Sequence, residues 1–301
     1  SRIIHSSNQY SYLSLSSAAY LTDCEAQLRK PVSLLRESVT ALHSEHQQTI
    51  VETSQGQLSA NTVYDSRPPK LIDNGLRQHF LGWHIQTKAP IKDADIATLM
   101  DFRVDQSRGL HFIYALPYSD HQLLIESTLI STSVESQDWY RSAIECWLRD
   151  NNIEIAQLIG EEMGVIPMDT LVSDSPALAT KDQPLITTIG AASGAVRRSS
   201  GYAFQHIQQQ MSQLAAGIAK GNMAVPTPLS SGLTTMDNIF NGVLISSPDL
   251  AVSLYMRMAK ALNGDQFARF MLGQATTSDW LRVISAMPKG PFLRQLLKQI
   301  L

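Results

Sequence analysis

The hydrophobic pattern divides the 301-residue chain into four regions of different character. Residues 1–75 mix short alternating segments with one helical stretch, whereas residues 76–180 contain four apolar-rich segments separated by turn residues, which is typical of a β-sheet. Residues 181–226 combine a short strand, a glycine-rich loop and a helix, and residues 227–301 are helical. The pattern therefore predicts an α/β protein with a central sheet and a helical C-terminal part.

Local patterns predict individual elements in the first half of the chain. The segment at 10–17, YSYLSLSS, alternates as a strand does, and a helix-like segment follows that ends at Pro31. A hairpin is predicted with its turn near Gly56, followed by a strand that ends at Asp65. After the four sheet segments, an amphipathic helix is predicted with Ser136 as its N-cap.

The strand–loop–helix unit around residues 185–221 has the clearest pattern. A short apolar strand runs into the loop GAASGAVRRSSG, and a helix opens after it. Apolar residues then recur at spacings of three and four, which predicts one buried helix face. This stripe consists of Phe204, Ile207, Met211, Leu214 and Ile218.

Composition and charge limit the classes of function. The chain is 44% hydrophobic and carries a net charge of −3, which indicates a globular protein and argues against nucleic acid as its main partner. Residues 251–301 contain seven Lys/Arg against two acids, so this tail is basic and the remainder acidic. Arg294 and Lys298 lie opposite a leucine stripe in the last helix, which suits either an interfacial membrane helix or an ordinary docked helix. The two cysteines, Cys24 and Cys146, fit a reducing compartment.

Glycines in the loop at 190–201 are the first candidates for ligand binding. A glycine lets the backbone approach a ligand closely, and the start of a helix offers N–H groups to an anion. Gly190, Gly194 and Gly201 are therefore candidates for contacting the phosphates of a cofactor. The alternative is a turn that only packs the helix on a sheet.

Glu126 is the second candidate, because it follows the apolar run Leu123–Ile125 directly. Either it points to water from a half-exposed strand, or it is a carboxyl group in an apolar site with a raised pKa. Asp101 and Arg103 are two residues apart on a predicted strand, so they share a face and either orient a ligand or form a surface ion pair. Trp83 and His84 are further polar candidates, with core packing as the alternative.

Six segments together are similar to one known family. FLGW, LMDFRVDQ, FIYALP, LLIEST, EEMGVIPM and IGAASGAVRRSSGYAF resemble the lycopene cyclase family, of the bacterial β-cyclase type, in this order and at this spacing. The helical C-terminal third resembles it as well. The resemblance covers nearly the whole chain.

The resemblance implies an FAD-dependent dinucleotide-binding fold related to that of the aromatic hydroxylases. It implies four regions: a partial FAD-binding region at 1–75, a β-rich substrate-binding region at 76–180, an FAD-binding return segment at 181–226, and a helical region with membrane contact at 227–301. It implies closure of the linear ends of lycopene, or of another linear carotenoid, into β-rings without net redox change. Reduced FAD is the expected cofactor and NAD(P)H the expected reductant.

The resemblance also assigns expected roles to single residues. Glu126 is the expected acid that protonates the terminal double bond, and Asp101 and Arg103 are expected to shape the site. Expected FAD contacts are Gly190, Gly194, Ser199, Ser200, Gly201, Tyr202, Asp65 and Arg67. Apolar burial would keep a carboxyl group protonated near neutral pH, as the protonation of an alkene requires. A reduced flavin would stabilise the cation that forms.

The chain departs from the family pattern at several places. Ser127 stands where a second acid is usual, His84 where a glutamate is usual, and Arg198 where a proline is usual. The N-terminal G-x-G-x-x-G unit is absent, so we expect an N-terminally incomplete chain. Two other hypotheses stay open: a related flavin-dependent reductase or hydroxylase of isoprenoids, and a non-catalytic carotenoid- or membrane-binding relative. The expected location is the cytoplasm, peripheral on the inner membrane.

Overall fold

The computed structural model describes residues 2–45, 48–68, 72–168 and 185–300, which form a mixed α/β structure. The predicted α/β class is therefore confirmed. The strands are β1 (Val39–Glu45), β2 (Gln48–Thr53), β3 (Gly56–Ala60), β4 (Thr62–Asp65), β5 (Arg77–Thr87), β6 (Thr98–Asp101), β7 (Leu110–Ser119), β8 (Gln122–Ser131), β9 (Ile155–Pro167) and β10 (Leu185–Thr188). The α-helices are α1 (Ser17–Ala26), α2 (Gln137–Asp150), α3 (Phe204–Ile218), α4 (Ser231–Ser246), α5 (Ala251–Ala261), α6 (Gly264–Met271), α7 (Thr277–Ala286) and α8 (Lys289–Ile300).

The largest sheet has five strands in the order β6-β7-β8-β5-β9, and neighbouring strands are antiparallel. Its strands β5 to β8 coincide with the four apolar segments predicted from the sequence. Strand β9 pairs with β5 at the edge of the sheet. Because successive side chains in a strand point to opposite faces, each strand contributes residues to two different surfaces.

Helix α2 covers one face of this sheet. Its buried residues Tyr140, Ile144 and Leu148 have the spacing of one helix face, as predicted. Ser136 is at the N-cap position with an extended backbone, but its side chain makes no capping hydrogen bond. The sheet residues buried in the same core include Leu81, Trp83, Ile85, Ile113, Ala115, Leu123, Ile125 and Leu129.

The opposite face of the sheet has two different coverings. At one end, Leu110, Phe112 and Ile130 belong to a core shared with the C-terminal helices, including Leu254 of α5. Farther along, the N-terminal segment 8–16 reaches the sheet. There Tyr12 contacts Tyr114 through their hydroxyl groups, and Ser14 Oγ donates to Tyr118 Oη at 2.9 Å. The stretch between these two coverings contains Glu126.

Two smaller sheets lie beside the central one. Strands β1, β2 and β3 form an antiparallel meander, which confirms the predicted hairpin near Gly56. Strands β4 and β10 pair in parallel, with Asp65 opposite Thr188. The predicted strand ending at Asp65 is therefore confirmed. This pair brings the chain before residue 66 next to the glycine-rich loop that follows β10.

Two local predictions are wrong. Residues 10–16 form no strand, and Ser16 instead caps α1, accepting from the Ala19 N–H. The predicted stripe of α3 is only partly its buried face: Leu214 is buried, whereas Phe204 and Ile218 are 47% and 40% exposed. The residues of α3 that are buried are His206, Gln210 and Leu214. Periodicity alone missed this face because Gln210 is buried by hydrogen bonds to the loop rather than by apolar packing.

The predicted region boundaries at residues 75, 180 and 226 stay predictions, and each of the four regions includes residues outside the described part of the chain. Within those residues, no single helix is long and apolar enough to cross a bilayer. The helical segments Ser231–Ser246 and Pro248–Ala261 together have the length and composition of a membrane span, but they meet at a bend of 108°.

Candidate active site

Glu126 lies in the middle of β8, on the face of the sheet that α2 does not cover. Its register partners are Tyr114 of β7 on one side and Gly82 of β5 on the other. On the far side of Gly82, the next partner is Glu162 of β9. Four residues of four strands therefore form one row across the sheet, with a carboxyl group on each side of a glycine.

Gly82 allows the two carboxyl side chains to converge. A Cβ atom at this position would lie 2.8 Å from Cγ of Glu126 and 3.4 Å from Cγ of Glu162. Real Cβ atoms do not approach another carbon to 2.8 Å, so any side chain at residue 82 would displace Glu126. The absence of a side chain at Gly82 is what places both glutamates over the same point of the sheet.

Among the residues that the structure describes, neither Glu126 nor Glu162 forms an ion pair or accepts a side-chain hydrogen bond. Burial of Glu126, together with the negative charge of Glu162, raises the pKa of Glu126 to about 7. A substantial fraction of Glu126 is therefore protonated at neutral pH, as a general acid must be.

Ser127 does not share this site. It is fully buried on the α2 face, where its hydroxyl group is 2.9 Å from Nε2 of His111. A second acid at position 127 would therefore not have stood beside Glu126. The departure from the family pattern at Ser127 therefore removes no carboxyl group from the surroundings of Glu126, and the second carboxyl group there belongs to Glu162.

Asp101 and Arg103 also lie away from Glu126. Asp101 pairs with Ile113 in the register of β6 and β7 and accepts from Trp147 Nε1 of α2 at 2.9 Å, which places it on the α2 face. Arg103 binds the same carboxylate through Nε and a terminal nitrogen, and its side chain is 77% exposed. Burial alone would raise the pKa of Asp101, but the hydrogen bonds from Arg103 and Trp147 outweigh it and hold the pKa below its usual value. The structure thus shows a structural ion pair and does not bring these residues to the site they were expected to shape.

The other polar residues near Glu126 are mainly tyrosines. Tyr114 is partly buried next to Glu126, and burial, with the contact to Tyr12, raises its pKa well above 10. Tyr12 also interacts electrostatically with Glu126 and with Tyr202. The loop residue Tyr202 and the sheet residue Glu126 are therefore near the same N-terminal segment. Sequence reasoning missed Tyr12, because its alternating pattern indicated a strand and not a segment that crosses another sheet.

His84 and Trp83 occupy opposite faces of β5. Trp83 is buried on the α2 face and donates to Glu161 at 2.8 Å. His84 is on the same face as Glu126, where it packs edge-on against Tyr118. Its Nε2 atom is buried and has no hydrogen-bond partner in the described part of the chain. Of these two candidates, the structure places only His84 on the face that also carries Glu126, which α2 does not cover; this face is called the open face below.

The glycine-rich loop begins where the parallel pair β4–β10 ends. Ile189 N–H donates to the Asp65 carbonyl at 2.9 Å, so the loop starts directly beside the end of β4. Gly190, Gly194 and Gly201 have φ angles of +65°, +86° and +70°, a region that favours glycine. The Gly190 N–H donates to Gln210 Oε1 at 2.8 Å, which joins the loop to α3.

A buried charge pair anchors the second half of this loop. Arg197 is 1% exposed and lies 3.4 Å from the carboxylate of Asp237 in α4. It also donates to the carbonyls of Phe270 and Met271 at the end of α6. Ser199 donates to the same Asp237 oxygen at 2.7 Å. Ser199 therefore holds the loop on the helices, so its hydroxyl group is not directed at a ligand. Asp237 was not identified from the sequence, because an acid inside a helix carries no local signal.

The end of the loop approaches the sheet near the Glu126 row. A Cβ atom at Gly201 would lie 3.2 Å from Oε1 of Gln78 and 3.4 Å from Cγ2 of Ile166. Gln78 is in β5 and Ile166 in β9, the two strands that carry Gly82 and Glu162. Ser200 and Tyr202 flank this contact. The predicted cofactor loop and the predicted acid therefore lie on one side of the same sheet.

Asp65 and Arg67 form a second group beside the loop. Arg67 donates to both carboxylate oxygens of Asp65, with Nε at 2.9 Å from Oδ1 and a terminal nitrogen at 2.8 Å from Oδ2. These hydrogen bonds lower the pKa of Asp65. The Arg67 side chain is 46% exposed, and its charge is paired with Asp65. A Cβ at Gly194 would meet no atom within 4 Å, which leaves space against the backbone there. A left-handed glycine facing open space, in a loop that starts beside Asp65, fits close approach of a cofactor such as FAD.

Comparisons with known proteins agree with one family. A lycopene beta-cyclase from Pantoea ananas is 27% identical over 206 residues, which are 66% of this chain and 53% of that protein. A second from Pseudescherichia vulneris is 32% identical over 126 residues, 42% of this chain and 32% of that protein. The chain thus spans about half the length of the first of these relatives.

Among solved structures, a geranylgeranyl bacteriochlorophyll reductase-like protein from Thermoplasma acidophilum is 10% identical and covers 88% of this chain and 68% of its own. Its TM-score is 0.45. The family model described as Lycopene cyclase protein matches residues 3–296. On this match over nearly its whole length, the chain belongs to the lycopene cyclase family.

Proposed function

We propose that this protein is a lycopene β-cyclase of carotenoid biosynthesis, an intramolecular lyase of the isomerase class that acts on lycopene or another linear carotenoid. One observation supports it above the others: Glu126 has no ion-pair partner among the described residues, and its burial on the sheet face that α2 does not cover raises its pKa to about 7. Membership in the lycopene cyclase family supplies the substrate class for that acid.

The proposed reaction begins with protonated Glu126. Its proton adds to the terminal double bond of the polyene, which leaves a carboxylate on Glu126 and a tertiary carbocation on the substrate. The π electrons of a nearby double bond then close the ring, and loss of a proton from the ring cation forms the ring double bond. Atoms balance without an oxidant, since one proton is added and one is removed. The aromatic ring of Tyr114, beside Glu126, offers an electron-rich face to the cation.

We further propose that FAD is held by the loop from Gly190 to Tyr202 and by the Asp65–Arg67 pair. The chemistry that a reduced flavin supplies when bound is negative charge near the developing cation, with NAD(P)H as the source of reducing equivalents. Gly194 would keep the backbone close to the cofactor, and Gly201 would let the end of the loop pack on the sheet. Ser199 and Arg197 would act indirectly, because they fix the loop on α4 through Asp237.

The test of the function is conversion of lycopene by the purified protein with FAD and NADPH, followed by chromatography. A cyclic product without stoichiometric use of NADPH is expected, and Glu126→Gln should abolish its formation while the far-UV circular dichroism stays unchanged. Stoichiometric consumption of reductant would instead favour a flavin-dependent isoprenoid reductase or hydroxylase. Binding of lycopene without any product would favour a non-catalytic carotenoid-binding relative.

The proposed location is peripheral on the cytoplasmic side of the inner membrane, where carotenoids dissolve. Leu293 and Leu297 of α8 are 56% and 58% exposed, and the same helix carries Arg294 and Lys298. Exposed leucines beside cations suit the surface of an anionic bilayer. The double variant Leu293→Ser/Leu297→Ser should co-sediment less with vesicles that contain phosphatidylglycerol. Unchanged sedimentation would contradict the role of this helix.

A further inference from the structure

Glu162 is the residue that the proposed chemistry does not yet use. It is exposed at the edge strand β9, whereas Glu126 is partly buried two strands further in, on the other side of β5. Both side chains converge over Gly82, with their Cγ atoms 3.4 Å and 2.8 Å from the same missing Cβ position. One carboxyl group in contact with water therefore stands directly beside one that is largely withdrawn from it.

We propose that Glu162 is a proton relay, which passes protons between solvent and Glu126 across the space over Gly82. This proposal rests on the proposed cyclase function. Glu162 is a positioning residue in this sense, because it acts on the substrate only through Glu126. It supplies a second carboxyl group near Glu126, although the position where the family pattern has its second acid is Ser127 in this chain.

The reaction cycle creates the need for such a relay. Each ring closure leaves Glu126 as a carboxylate, and the proton lost by the ring cation is released elsewhere in the site. Glu126 needs a new proton before the next turnover, at a time when an apolar chain shields it from water. In the relay step, the O–H bond of protonated Glu162 breaks and a new O–H bond forms on Glu126. Glu162 then regains a proton from water, so no other reactant is needed.

Other titratable groups near Glu126 are poorly suited to this transfer. Tyr12, Tyr114 and Tyr118 interact electrostatically with it or with each other, but burial keeps the pKa of Tyr114 far above 10. His84 is on the same face one row away, and its ring packs against Tyr118. None of these faces Gly82 from an adjacent strand. Glu162 alone, of the groups described around Glu126, meets it over a position without a side chain.

Glu161 provides a matched control, because it is adjacent in sequence and on the opposite face. Its carboxylate binds Arg141 at 2.6 Å and Trp83 Nε1 at 2.8 Å. The hydrogen bonds from Arg141, followed by that from Trp83, lower its pKa to about 2. It is therefore a permanent carboxylate held in an ion pair, with no path to Glu126.

The experiment compares Glu162→Gln with Glu161→Gln in single-turnover and steady-state assays with lycopene. At a pH low enough for Glu126 to be protonated in both proteins, a relay predicts that Glu162→Gln keeps a first turnover near the wild-type rate, because the first proton is already on Glu126 before mixing. Its steady-state rate should fall by on the order of tenfold and recover when acetate is added as a diffusible proton carrier. Glu161→Gln should match the wild type in both phases. Equal loss in both phases, or no loss in either, would overturn the relay.

A second measurement separates failure of the relay from failure of the proposed function. If the wild-type protein forms no cyclic product, the cyclase assignment fails, but the carboxyl pair can still be read by infrared titration. The carboxyl band of Glu126 is identified by its loss in Glu126→Gln. Replacing Glu162 by glutamine should let Glu126 ionise at a lower pH, whereas Glu161→Gln should not change it. If Glu126 titrates identically in the wild type, Glu162→Gln and Glu161→Gln, then Glu126 and Glu162 do not interact, and the relay is overturned.

Discussion

Glu126 and Ser127 are neighbours in sequence but lie on opposite faces of the five-stranded sheet. Glu126 is on the open face above Gly82, and Ser127 is buried against α2 with its hydroxyl group beside His111. The period of two in a β-strand makes this separation unavoidable. A pair of acids in this part of the chain can form only between residues of different strands, which is how Glu162 meets Glu126.

Ser127 is therefore expected to matter for stability and not for proton transfer. Ser127→Ala removes the hydrogen-bond partner of the buried His111 Nε2 and should lower the free energy of unfolding by about 1–2 kcal/mol. The pH dependence of activity should stay that of the wild type. Urea denaturation and a pH–rate profile measure the two effects, with the exposed Thr132→Ala as the control. A shifted pH profile would instead indicate that Ser127 acts on Glu126 after all.

Gly82 should be intolerant of any side chain for a geometric reason. In Gly82→Ala the new methyl group would lie 2.8 Å from Cγ of Glu126, so Glu126 must rotate away from the row. We expect activity to be lost and the pKa of Glu126 to fall toward its ordinary value, because the rotated carboxyl group is more hydrated. The change in stability should be small, within about 1–2 kcal/mol, since one side chain of the open face can move.

Gly160→Ala is the control for that experiment. Gly160 is in β9 two residues before Glu162, and an added Cβ there meets no atom within 4 Å. Activity and the Glu126 titration should both be unchanged in this variant. Infrared titration and the cyclisation assay check the pair, and a fully active Gly82→Ala would contradict the convergence of the two glutamates.

Ionisation of Glu126 should make the protein less stable as the pH rises. Its pKa is about 7 when folded, against an ordinary value of 4.5, so the folded protein binds more protons between these values. The free energy of unfolding therefore falls as pH increases from about 4.5 to 7, and the full loss is present above 7. At about 1.4 kcal/mol per pKa unit, the loss is at most about 3 kcal/mol.

Glu126→Gln removes this dependence, so the comparison isolates one group. At pH 8.5 the variant should be more stable than the wild type, and at pH 4 the two should be equal, although the variant is inactive at both values. Urea denaturation at several pH values measures the difference. A constant difference at all pH values would indicate that Glu126 ionises as readily in the folded protein as in the unfolded chain.

The sequence predicted the sheet better than the site. Alternation and turn residues located β5 to β8, because the α2 face of that sheet is an ordinary apolar core. The same patterns do not show which strands become neighbours in the sheet. The row of residues from Tyr114 to Glu162 could therefore not be predicted from the sequence. The adjacent residues Glu161 and Glu162 did carry a usable signal. Two adjacent acids in a strand point to opposite faces of the sheet, so each face carries one acid whose presence needs a structural or functional explanation.

The predicted role of Asp101 and Arg103 shows the limit of spacing arguments. The two residues do pair, although Asp101 is the last residue of β6 and Arg103 lies just beyond the strand. Spacing gives no information about which face of the sheet the pair is on. Trp147 of α2, which donates to Asp101, places them away from Glu126. The roles of Ser200, Tyr202 and Gly190 as cofactor contacts stay predictions.

The last prediction concerns Asp237, which holds the loop at 190–202 in place through Arg197 and Ser199. Asp237→Asn leaves Arg197 as a buried guanidinium without a carboxylate, although Arg197 keeps its contacts to Phe270. Removal of one partner of a buried pair should cost about 3–5 kcal/mol, so urea denaturation should show a large loss. The exposed Asp249→Asn in the same helical region should change the free energy of unfolding by less than about 0.5 kcal/mol.

The loop should respond locally before the whole protein unfolds. The Arg197 N–H donates to the Tyr202 carbonyl and the Gly201 N–H to the Arg197 carbonyl, so both amides report whether the loop is closed. Hydrogen exchange at these amides should be faster in Asp237→Asn than in Asp249→Asn, while amides of β7 and β8 change less. The double variant Arg197→Met/Asp237→Asn should be more stable than the sum of the single effects, because it removes the unpaired charge. Additive losses would mean that the buried pair does not hold the loop, and the anchor would then have to lie in Ser199 and Tyr255, whose bonds also join it to the helices.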